Sequence, residues 1–106
     1  MNEQDSRVTT STLDEGKTLS LAVKGHFDFS IHSGFRDAYR DASGYSRYVV
    51  DLSETHYIDS SALGMLLLLR EHAGNQGADV VLRKPSPEVR NILEIANFHT
   101  LFAIEG

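Results

Sequence analysis

Three adjacent residues, Asp59, Ser60 and Ser61, stand directly ahead of the apolar run that starts Ala62-Leu63-Gly64-Met65-Leu66. An aspartate there offers a short acceptor to the free amides of a first helical turn, so the spacing predicts a helix whose first turn carries two hydroxyls. A helix start also concentrates positive partial charge and unpaired N–H groups, which suits it to bear a phosphate. The chemistry indicated is modification of a serine hydroxyl. A plain capping sequence with no further role accounts for the same three residues, and both readings stand at this point.

Other chemistries find little support. Ser60 lies in no Gly-x-Ser-x-Gly elbow, and the chain has no Gly-x-x-x-x-Gly-Lys-Ser/Thr phosphate loop, so an enzyme is not expected. The five histidines, His26, His32, His56, His72 and His99, match no ligand motif, and no metal or cofactor is expected. The absence of cysteine excludes disulfides and thiolate sites. A net charge of -5 without a Lys/Arg cluster argues against nucleic acid as a partner. At 106 residues the chain is expected to form one domain. Residues 1–6 are polar and read as a flexible start without a signal pattern, and no apolar run is long enough to cross a membrane. A cytoplasmic protein with no membrane partner is the expectation.

The elements that must position the serines follow from periodicity. Residues 7–13 are threonine-rich and suit an edge strand, Asp14-Glu15-Gly16 signals a turn, and Leu19, Leu21 and Val23 alternate as in a half-buried strand, together a hairpin. Ile31, Phe35, Ala38 and Tyr39 keep helical spacing, with Ser30 as the expected cap and Gly44 at the exit. Tyr48-Val49-Val50 and Leu52 read as a central strand covered on both faces. The leucine-rich helix runs from Ser60 to about Asn75, and residues 79–83 form the next strand. Ser86-Pro87-Glu88 starts a helix with the stripe Val89, Ile92, Leu93 and Ala96; Asn97 stops it, and residues 101–104 form a last strand. The predicted class is α/β, a mixed, mostly parallel sheet with an N-terminal hairpin strand and crossover helices. The loops at residues 25–28 and 56–61 both follow strands and should meet at one end of the molecule, where His26 and His56 would border the site.

The leucine-rich helix holds more hydrophobe than one face needs. Ala62, Met65, Leu66, Leu69 and Ala73 make one stripe, whereas Leu63, Leu67 and Leu68 fall largely outside it. Either the surplus is buried between sheet and helices, or the part near Gly64 and Leu68 is an exposed docking patch beside the serines.

Residues 51–64 resemble the signature of STAS domains, the family of anti-sigma-factor antagonists. The usual form is an Asp-x-Ser near a strand end, then a hydrophobe, Asp-Ser-Ser or Asp-Ser-Thr, Gly, Leu and a small residue. Ile58-Asp59-Ser60-Ser61, Leu63 and Gly64 match it, and Gly25-His26-Phe27-Asp28 is similar to the family's Gly-x-hydrophobe-Asp loop. The order of elements agrees from about residue 7 to 104, and Ala62 replaces a usual glycine at a position where a helix accepts alanine well. The resemblance implies a STAS domain spanning the chain and a partner-switching role without catalysis. Ser60 would be phosphorylated by a partner kinase that is itself an anti-sigma factor or switch protein, with a metal-dependent serine phosphatase as its reversal. Ser61 is the second candidate acceptor and helps shape the loop; Asp59 holds the loop and takes part in kinase recognition. The expected partner surface comprises His26, Asp28, His56, Asp59, Ser61, Gly64 and Leu68. Alternatives are a non-switching scaffold module of the same fold, or a receiver-like phosphorelay domain with Asp51 as acceptor. Receivers have an acidic pair after the first strand and a lysine after the last, whereas residues 25–28 supply one acid and no lysine follows residue 104.

Overall fold

The structure is a computed structural model and describes residues 7–106. The expected flexible start, residues 1–6, lies outside the described residues. Strand β1 (Val8–Leu13) and β2 (Thr18–Val23) form the antiparallel hairpin. Its turn holds Asp14, Glu15 and Gly16 at positive φ, and the Thr18 hydroxyl donates to Asp14 Oδ2 at 2.8 Å. Strands β4 (Arg47–Asp51), β6 (Asp79–Arg83) and β7 (Ala103–Glu105) add in parallel, giving the sheet order β1-β2-β4-β6-β7. As the sequence predicts, β4 is central.

Each parallel step moves the same way across the sheet, so right-handed crossovers bring α1 (His32–Tyr39), α2 (Ser60–Gly74) and α3 (Pro87–Ile95) onto one face. Register agrees: Leu19, Tyr48 and Val80 lie abreast, as do Leu21, Val50 and Leu82, and all join the helices' buried residues in one core. The inner stripe of α2 is the one read from its spacing, Ala62, Met65, Leu66, Leu69 and Ala73.

Four details differ from the expectation. Residues 55–58 are a strand, β5 (Thr55–Ile58), paired in parallel with β3 (Gly25–Phe27) in a separate two-stranded sheet. The loop expected over residues 56–61 thus shrinks to a sharp junction. Ser30 does not cap α1: a 3₁₀ turn (Phe29–Ile31) comes first, and Asp28 caps it by accepting from the Ser30 amide. Helix α1 ends at Tyr39, well before Gly44, whose φ of +84° serves the loop to β4. The last strand starts at Ala103, because a 3₁₀ turn (Phe98–Thr100) and the burial of Phe98 and Phe102 occupy the preceding residues.

The two sides of α2 make opposite predictions. Leu66 is fully buried and Leu68 is 51% exposed. Leu66→Ala should cost about 2–5 kcal/mol of unfolding free energy in urea titration, whereas Leu68→Ala should stay within about 0.5 kcal/mol of the parent. Asp59→Ala removes the α2 cap and should cost about 0.5–2 kcal/mol in the same measurement, with Asp59→Ser recovering most of it.

Candidate functional site

The candidate site forms where β3 and β5 end side by side. In their register Phe27 stands opposite Ile58, and both side chains are buried. The following residues, Asp28 and Asp59, therefore emerge together, each extended and each capping a helical turn. Asp59 Oδ1 accepts from the Ala62 amide at 3.0 Å, and the Asp59 amide donates to the Phe27 carbonyl at 3.4 Å. The predicted cap of α2 is thus in place and is tied to the neighbouring loop.

Ser60 is exposed in the first turn of α2, whereas Ser61 beside it is half-buried. Gly64 and Leu68 follow at four-residue steps, so they lie on the face of the helix that carries Ser60. That stripe extends about 12 Å along the axis. Leu67, 41% exposed, flanks it. The leucine surplus is therefore divided: Leu63 is half-buried against the core, while Leu67 and Leu68 face solvent. A Cβ built on Gly64 would meet nothing within 4 Å.

His26 is exposed and packs edge-on against Tyr57, with ring centroids 5.5 Å apart. His56, also exposed, precedes Tyr57 on β5 and so leaves the strand from its other side. The structure thus brings His26, Asp28, Asp59 and Ser60 to one corner and turns His56 away from His26. Asp28 accepts from both the amide and the hydroxyl of Ser30. The hydroxyl bond holds the Asp28 carboxyl below the usual carboxylate range; desolvation opposes this, and the Ser30 amide and the charges of Arg7 and His26 assist it.

Three neighbours were not among the predicted site residues. Tyr57 is 48% exposed, Phe29 is 67% exposed and stacked on His32 at 5.1 Å, and Arg7 hydrogen-bonds the β3 loop. A large aromatic directly after a capping aspartate was the available signal for Phe29; none marked Arg7. Asp51, the acceptor in the receiver-like alternative, closes a local turn by accepting from the Ser53 amide at 2.9 Å. Among the described residues, no three His, Asp or Glu side chains could together hold a metal ion, and no helix is long and apolar enough to cross a membrane.

Comparison with known proteins is consistent with this geometry. A family model described as "Mlab, STAS domain" matches residues 11–104. A STAS-domain containing protein of Pseudomonas aeruginosa is 53% identical over 98 residues, covering 92% of this chain and 97% of the relative. Among solved structures, a Thermotoga maritima protein assigned as an anti-sigma factor antagonist superposes with a TM-score of 0.83 at 19% identity, over 95% of this chain and 87% of that one. The unphosphorylated form of the Bacillus anti-sigma factor antagonist SpoIIAA gives 0.68 at 14% identity, over 92% and 86% of the two chains. With nearly the whole chain matched by the family model and more than half of the aligned residues shared with a STAS-domain protein, this chain belongs to the STAS-domain family.

Proposed function

We propose that the protein is a cytoplasmic anti-sigma factor antagonist in a partner-switching pathway. Its unmodified form binds an anti-sigma factor that is also a serine kinase, and phosphorylation of Ser60 breaks that complex. A metal-dependent serine phosphatase resets it. The observation that carries this reading is the outward stripe of α2, an exposed hydroxyl at its head and two exposed leucines below, divided by a glycine.

Gly64 is informative because the fold has no packing reason for it. A glycine inside a helix costs about 1 kcal/mol relative to alanine, and alanine would meet no neighbour there. Close approach of another molecule to the helix backbone accounts for a glycine at this point. The half-exposed Leu67 and Leu68, one turn below, offer that molecule apolar area, and Asp59, Asp28 and His26 give the contact a polar rim. Ser60 is favoured over Ser61 because its side chain is the exposed one.

A phosphate on Ser60 would add about -1.5 to -2 charges. At an exposed helix start this changes folding stability by only about 0.3–1 kcal/mol. A partner surface fitted to a hydroxyl beside Asp59 would instead face a dianion, and such like-charge contacts cost several kcal/mol. The modification therefore acts on binding far more than on folding. SpoIIAA, which shares the fold, is described in both unphosphorylated and phosphorylated forms, which supports the same cycle here.

The test is phosphosite mapping with native-cell extract and ATP, followed by acid treatment. One acid-stable phosphate on Ser60, absent from Ser60→Ala, is expected; equal phosphorylation of Ser60→Ala would refute the assignment, and an acid-labile phosphate on Asp51 would indicate a receiver. Immobilised unmodified protein and Ser60→Ala should each retain a protein identified by mass spectrometry as an anti-sigma factor kinase. Ser60→Asp, with about half a phosphate's charge, should retain less of it.

A further inference from the structure

The β3 loop is held from a distant point in the sequence. Arg7, one residue ahead of β1, donates from Nη1 to the His26 carbonyl at 3.2 Å and from Nη2 to the Ser30 hydroxyl. That hydroxyl donates in turn to Asp28 Oδ1. Backbone geometry brings the arginine there: the Lys24 amide donates to the Arg7 carbonyl at 2.9 Å, and Gly25 turns at a φ of +75°. A Cβ on Gly25 would lie 4.0 Å from the Arg7 Cδ, so the arginine stem runs over this turn.

The loop needs such support. The register of β3 against β5 shifts between Gly25 and His26, and an irregularity of this kind disrupts the ladder locally. Arg7 supplies a donor to the His26 carbonyl beside that shift. Its planar fork reaches a carbonyl and a hydroxyl at once, which the single ammonium of lysine does not reproduce. Ser30 and His26 are exposed, so these contacts do not serve the hydrophobic core.

We propose that Arg7 is a positioning residue for the docking corner. Its guanidinium fixes β3 at His26 and the turn that Asp28 caps, and the β3–β5 ladder passes that geometry to the junction of Asp59 and Ser60. The link to partner binding rests on the function proposed above; the positioning itself does not.

The direct test is an NMR pH titration of the Asp28 carboxyl, with backbone amide shifts, in the parent protein, Arg7→Ala and Arg7→Lys. Asp28 titrates low in the folded protein, so the stability it contributes is present above the unfolded carboxyl's pKa and fades as pH falls through the folded one. In Arg7→Ala the Asp28 midpoint should rise, and the amides of His26, Ser30, Asp59 and Ser60 should shift together. Arg7→Lys should return the midpoint in part while leaving the loop amides displaced. A merely structural role would lower the unfolding midpoint and move β1 amides without moving Asp28. If Arg7→Ala leaves the Asp28 midpoint and the Ser60 amide as in the parent, the proposal is overturned, whether or not any partner has been captured. Where the parent protein retains its partner, Arg7→Ala should bind it about tenfold more weakly, the scale of one lost charged hydrogen bond.

Discussion

The parallel pairing of β3 with β5 is the constraint on which the candidate site depends. Neither strand is long enough to be stable alone, and each is anchored because its last side chain, Phe27 or Ile58, enters the core. Once those two are buried in register, Asp28 and Asp59 must emerge as neighbours. Each carboxylate has its own donors: Asp28 has the amide and hydroxyl of Ser30, and Asp59 has an α2 amide. Each aspartate caps its own turn, and Ser60 stands in the one that Asp59 caps.

Helix α2 shows how one element can serve both core and surface. Its inner stripe is sealed against the sheet, while Leu67 and Leu68 remain about half in water. Full burial of a leucine is worth about 1.5–3 kcal/mol, so these two leave on the order of 2 kcal/mol of apolar stabilisation that a bound surface could recover. Because the outer face contributes little to folding, it is free to carry a glycine and an exposed hydroxyl. In the proposed function, stability and binding therefore fall on opposite sides of one helix.

Much of this was legible in the sequence where the physics is local. Asp59 as a cap, Ser86 and Pro87 as a helix start, the alternation of Leu19, Leu21 and Val23, and the inner stripe of α2 each follow from side-chain chemistry within a few residues. The place of Ser60 and Ser61 in the first turn of α2 was legible for the same reason. The β3–β5 sheet was not, because three- and four-residue strands show no usable period and their partners lie some thirty residues apart. Ser30 and Asp28 are both good caps two positions apart, so the spacing could not say that a 3₁₀ turn would use the earlier one. Whether Leu67 and Leu68 were core or surface depended on tertiary placement, as did the reach of Arg7 to the β3 loop.

The central claim is that a charge at residue 60 controls association while leaving the fold intact. It is tested most directly by titration calorimetry of the captured partner against protein carrying phosphoserine at position 60 and against the unmodified protein, with the unfolding free energy of both forms measured alongside. The account predicts an affinity loss of about a hundredfold or more, with folding stability changed by no more than about 1 kcal/mol. Equal affinities, or a phosphorylated form that binds more tightly, would contradict it.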